Sequence, residues 1–353
     1  TSTETISDNN TNVVVLNKLR KISDTPVGGM SASSTVVRYI DRGLGHVFEL
    51  GATSTETEKI SNTTIPRVYE SYWNKNLNQV VLRYIKANTD EIINFFGEIR
   101  PVKLSSTTDQ NTTKYEVKGK FLSKNISNVT VSPKGDRIFY TEIIDDKTVG
   151  YISNFDDTKK VKVFDSPLIY INIDWPEENT LIMSTKPSGS SHGYIYSINI
   201  KNGSQKKIFD GKNGFSAKIS RDLKKIIYSN TYQDSVKIYI YDIAKNKNSE
   251  AIFSTLVDKC VWSNIRKNEA FCAVPNSIPD GYYPDDWYMG KVSFTDQIWH
   301  IDTDTGEVHL LSDPLSESSV KIDAIKLVLD PKENYLYFIN KQDLSLWSLE
   351  INK

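Results

Sequence analysis

No stretch of this chain is long and apolar enough to form a membrane helix. Its longest uninterrupted apolar runs, such as residues 13–16 and 168–171, fall far short of the roughly 20 residues a bilayer requires. Charge of one sign is also missing. Forty-three Lys and Arg oppose 44 Asp and Glu, leaving a formal charge of −1 and no global field to attract nucleic acid or an acidic membrane. No segment sustains a helical hydrophobic period. With 38% hydrophobic and 11% aromatic residues, the 353-residue chain nevertheless has the material for a substantial core, which excludes wholesale disorder.

Residues suited to metal or nucleophilic chemistry are equally sparse. His46, His192, His300 and His309 are scattered, the first three in or beside strands of different repeats, and no H-E-x-x-H or paired C-x-x-C occurs. Residues 302–306 (DTDTG) alternate oxygen donors like a calcium loop. Their glycine, however, falls at the fifth position and Asp313 stands where the twelfth-position Glu belongs, so a hairpin turn is the better reading. Neither a G-x-S-x-G elbow nor the Asp-box of sialidases is found. No cofactor, metal site or catalytic residue is therefore expected. Six Asn-x-Ser/Thr triplets, at Asn9, Asn62, Asn111, Asn125, Asn128 and Asn202, reflect abundant Asn and Thr as readily as glycosylation.

Only two cysteines occur. If the segment between Cys260 and Cys272 is a hairpin turning near Arg266, the two face each other at a separation a small adjustment closes to a disulfide. The alternative is a pair of buried thiols acting as small hydrophobes. A bond would imply an oxidising compartment. The first residues (TSTETISDNNTN) are polar, and residues 1–15 read as a flexible linker, as expected behind a removed signal or anchor.

What the chain does contain is repetition. Short β-branched and aromatic runs alternate with Gly, Asn, Asp, Ser and Pro, the chemistry of strands and turns. One element recurs, a strand, a polar turn and a second strand, in VTVSPKGDRIFYT, KISRDLKKIIYS, CVWSNIRKNEAFCAV and LVLDPKENYLYFI. The residues opening these turns and their weaker copies are Ser33, Asn74, Ser132, Pro176, Ser220, Ser263 and Asp330. Their spacings are 41, 58, 44, 44, 43 and 67. A period of 40–45 residues with four strands per unit is a propeller signature. The two long gaps hold insertions, a Thr-rich polar segment at 98–114 and an aromatic, acidic one at 275–294. Third strands such as GYIYSI and KIYIYD follow, then fourth strands such as TEKIS, QKKIF and EAIFST.

The chain resembles the TolB-like and WD-repeat propellers at the level of fold, most closely in the SPKGD turn of residues 132–136. The resemblance implies an all-β propeller with four-stranded antiparallel blades in a single domain over residues 16–353; the seven turns counted above give seven blades, with six or eight left open by the degenerate first copy. LNKLRKIS (residues 16–23) is expected to supply the missing fourth strand of the last blade and so close the ring. The resemblance transfers no functional residue.

The insertion at 275–294 departs from the repeat. It carries Tyr282, Tyr283, Trp287 and Tyr288 beside Asp285 and Asp286, a set suited either to stacking on a sugar or anchoring a protein, or to packing on itself. It joins the second and third strands of blade six, which places it on the face where blades connect. Arg67, Lys259 and Asp323 are expected near the axial opening of that face, where a small ligand would bind. These residues suggest a non-enzymatic binding or scaffold propeller, secreted or on the surface of a bacterial-type cell, that engages a protein or glycan partner. The rival readings are a hydrolase or lyase acting on polysaccharide or a lactone, with Asp285, Asp286 or Asp323 near the axis, and a self-assembling surface-layer or appendage subunit. The sequence gives no oligomeric state.

Overall fold

The computed structural model describes residues 18–51, 54–102, 114–232 and 235–351. The proposed linker at 1–15 and most of the Thr-rich segment lie outside these. Among the described residues the strands form six hydrogen-bonded sheets, five of four strands and one of eight. The eight-stranded sheet is two antiparallel sets joined only by a parallel bridge, Ser61 opposite Tyr115. Counting it as two blades gives seven sets, at residues 27–61, 68–121, 126–166, 171–213, 216–250, 260–312 and 324–350, the last completed by Leu19–Lys21.

Six of the seven sets follow the same rule, the set at 171–213 turning at Pro176 instead. A Ser, Asn or Asp opens the turn between first and second strands, and its side chain accepts the amides that the reversal leaves unpaired. Ser132 takes those of Asp136 and Arg137, both at 3.1 Å, and Ser220 takes those of Lys224 and Lys225. Asn74, Ser263 and Asp330 act likewise. The repeat seen in the sequence is thus a repeated turn. Second strands are continuous apolar runs because both their faces meet a neighbouring sheet, as in Ile138–Ile144 and Tyr335–Asn340, whereas fourth strands such as Lys247–Glu250 are exposed. First strands of most neighbouring sets pack on one another around the axis, and that of the last set packs on that of the first.

The ring closes as expected. Leu19, Arg20 and Lys21 pair with Leu349, Ser348 and Trp347, and the bonding continues as Ile22 N donates to Leu346 O and Glu350 N to Lys18 O. This pairing covers the edge that the last strand would otherwise offer to another chain. Two strand boundaries differ from expectation. Blade five's fourth strand is Lys247–Glu250 and not EAIFST, because a tight reversal at left-handed Asn246 brings Glu250 directly opposite Tyr239. Ala251 and Phe253 then pack against the core of blade six. Residues 98–101 belong to the long strand Ile92–Pro101 and are not part of a loop.

Cys260 and Cys272 stand directly opposite each other on paired strands and are bonded, buried within blade six. The bond cross-links a short loop of the unfolded chain. Replacing both cysteines with alanine is expected to remove about 2–3 kcal/mol of stability. Urea unfolding reads this directly, and an unchanged midpoint would contradict it.

Candidate functional site

The insertion forms a small lobe built on the short helix Asp285–Tyr288, with its own core of Tyr283, Trp287 and Phe294. It is tied to three other blades. Asp285 accepts the Gly189 amide at 2.6 Å, Thr231 donates to Tyr283 O at 2.6 Å, and Lys341 donates to Trp287 O at 2.6 Å. A Cβ at Gly189 would lie 2.7 Å from Tyr283 O and 2.8 Å from the Tyr282 ring, so this close approach requires glycine. Asp286 accepts the Tyr282 amide at 2.7 Å and pairs with Lys291 at 2.9 Å.

Lys259 lies beneath the lobe. Its ammonium group sits 2.7 Å from Asp296 and 2.5 Å from Asp323, with all three side chains fully buried. A third bond runs to Ala324 O at 3.0 Å, and the Trp287 and Phe294 rings flank the charge. Asp323 also accepts from Trp287 Nε1, Ser293 Oγ and Phe294 N. Close charge pairing and the donors around Asp323 offset the burial of these ions, while the second carboxylate oxygen of Asp296 is buried without a hydrogen-bond partner.

This geometry corrects several placements expected from sequence. Lys259 and Asp323 do not face the axial opening, because each is enclosed by the other and by the lobe. Tyr283 and Trp287 point into the protein, leaving Tyr282 and Tyr288 about two-fifths exposed. Arg67 is exposed in a between-blade loop, in left-handed backbone conformation, and joins neither group. Asp285 and Asp286 are held by lobe and loop amides. Of the predicted aromatics, only Tyr288 reaches toward the axis, donating to Asp258 at 3.0 Å.

Asp258 borders a cavity the sequence reading missed. About 820 Å³ in volume, it runs along the axis from the first turns of several blades, including Lys75, Gly135, Pro176 and Pro331, inward to Ser216 and Asp258. Its wide end therefore opens on the face opposite the lobe. Asp174, Lys218 and Arg221 line one side, and Met30, Val261 and Val328 line apolar parts of the others. Asp174 is exposed to the cavity, yet desolvation by the surrounding protein raises its pKa against the pull of Lys218 and Arg221. Burial lowers the pKa of Lys218, which donates to the Asp258 and Cys260 carbonyls. The Arg221 guanidinium has no hydrogen-bond partner among the described residues, and among these no group of three His, Cys, Asp or Glu could hold a metal ion. A sequence signal existed. Ser31, Tyr72, Asp174, Lys218, Val261 and Val328 each stand two residues before a turn-opening residue, and all line the cavity.

Comparison with solved structures settles the architecture. The propeller domain of the Trilobed protease of Pyrococcus furiosus matches 93% of this chain and 96% of its own, with TM-score 0.57 and 11% identity. The oligogalacturonate lyase of Vibrio parahaemolyticus matches 95% and 94%, with TM-score 0.57 and 9% identity. The fold is a β-propeller. TolB of Acinetobacter baumannii also matches, at TM-score 0.48 and 13% identity, over 79% of this chain and 63% of its own. Identities this low show fold alone. No protein-family model and no curated protein sequence matches the chain. The P. furiosus domain is described as having an open velcro topology, whereas this propeller pairs its two ends.

The Lys259 cluster yields two expectations. Lys259→Met leaves two carboxylates buried without their cation and is expected to cost about 3–5 kcal/mol by chemical denaturation. Burial pushes the Asp296 carboxyl up to about 6. A raised folded-state pKa stabilises the protein below the ordinary carboxylate range, and that contribution fades as pH rises through about 6. Unfolding free energy measured from about pH 4 to 7 should show this decline in the native chain and a flatter profile in Asp296→Asn; identical profiles would contradict the assignment.

Proposed function

We propose that this propeller is a non-catalytic binding module that takes an anionic group of a protein or glycan partner into its axial cavity. The observation that carries this reading is Arg221, a guanidinium presented to an 820 Å³ cavity with no hydrogen bond to the described protein. Such a group favours bidentate recognition of a carboxylate or sulfate. Asp174 and Asn172 beside it suit hydroxyl or amide donors. The lobe's role is then to close and brace the opposite end through Tyr288 and Asp258, and not to grip the partner with its aromatics. The buried disulfide supports operation in an oxidising compartment, at a cell surface or outside it.

A lyase or hydrolase reading has one feature in its favour. Lys218, its basicity lowered by burial, shares the cavity with Asp174. Asp285, Asp286 and Asp323 no longer contribute to it, since their oxygens are engaged elsewhere.

A glycan and acidic-peptide binding screen tests the proposal. Arg221→Gln is expected to weaken any captured ligand by about tenfold or more, with unchanged melting behaviour and no product released. Capture unaffected by this substitution would refute the site, and turnover by the native chain would replace binding with catalysis.

A further inference from the structure

A second cavity, of about 500 Å³, lies between blades seven, one and two. The first strand of blade seven, which supplies Ile325 and Lys326 to its lining, is bulged. Its register with the next strand shifts between Ile325 and Val328, and Lys326 adopts a left-handed φ of 52°. Lys326 thereby swings across to donate to Tyr69 O at 2.8 Å and Gly28 O at 3.4 Å, leaving space behind it. Val27, Ile85, Ile92, Ile325, Ile339 and Leu344 supply apolar walls.

The polar groups here divide into engaged and unengaged. Lys326 is held by its two carbonyls, and Glu70 accepts from Tyr72 at 3.0 Å and Arg83 at 2.8 Å. Arg42 and Asp90, also lining the cavity, form no ion pair among the described residues. The Tyr69 hydroxyl is buried without a hydrogen-bond partner, although buried hydroxyls are normally satisfied. Among the described residues the site thus offers an apolar chamber, one unpaired cation and one unpaired anion; the Tyr69 ring lines it, and its hydroxyl is enclosed behind. Cavities of this size and balance suit small ligands.

We infer that this cavity binds an apolar α-amino acid or an apolar residue bearing a free amino and carboxyl group. The side chain fills the chamber, Arg42 binds the carboxylate, and Asp90 binds the ammonium group. The inference is independent of the axial cavity.

Calorimetric titration of the native chain with phenylalanine, hydrocinnamate and phenethylamine tests it. Hydrocinnamate lacks the amine and phenethylamine lacks the carboxylate. Phenylalanine should bind saturably at one site, and each analogue should bind about tenfold more weakly or worse. Arg42→Gln, a half-buried position whose change spares the fold, should weaken phenylalanine and hydrocinnamate but not phenethylamine. Asp90→Asn should do the converse. Arg221→Gln should leave every titration unchanged. Absence of saturable phenylalanine binding, analogues that bind as well, or binding that survives the Arg42 and Asp90 changes would overturn the inference.

Discussion

A single buried ammonium group organises the lobe-bearing side of this propeller. Lys259 joins Asp296 at the start of one strand to Asp323 at the entrance to the next blade, and Asp323 in turn fixes Trp287 and the backbone of Phe294. A lobe of some twenty residues has too little apolar surface to hold one position by itself. Anchored through this ion cluster, it becomes part of the ring. Its position determines which aromatics remain outside and which end of the axis is closed.

Cations bridge other blade boundaries in the same way. Arg38 reaches Leu77 O, Arg83 reaches Ile126 O, Lys218 reaches Cys260 O and Lys326 reaches Tyr69 O. Radial sheets pack through side chains and share few backbone bonds, so carbonyls at their boundaries need donors from elsewhere. Long basic side chains reach that far. The guanidinium groups of Arg221 and Arg42 form no hydrogen bond or ion pair among the described residues, and each lines one of the two cavities to which binding is proposed. The disulfide adds a covalent link within the blade that carries Lys259, stiffening the side of the ring on which the lobe rests.

Much of the fold was legible in the sequence because its turns are chemically constrained. Ser132, Ser220, Ser263 and Asp330 must each accept two amides, so the same residue types recur at a fixed interval. Ring closure was equally visible, since the last repeat lacked a strand that residues 16–23 resembled. The site was less so. Aromatics beside carboxylates at 282–288 look alike whether they stack on a sugar or on one another, and only three-dimensional packing shows that Trp287 points toward Asp323. Lys259 reads as a surface lysine until Asp296 and Asp323, 37 and 64 positions later, close around it. The axial residues were obscured because Asp174 and Lys218 come from different repeats, although both occupy the same place before the turn.

The lobe is a brace and the axial cavity the proposed binding site, and hydrogen exchange across the lobe tests that separation most directly. The amides of Tyr282, Asp286 and Phe294 are predicted to exchange as slowly as those of the second strand of blade six, Glu269–Pro275. Exchange at the rate of the exposed turns, with the blades still protected, would show an independent surface loop and contradict the role assigned to Lys259.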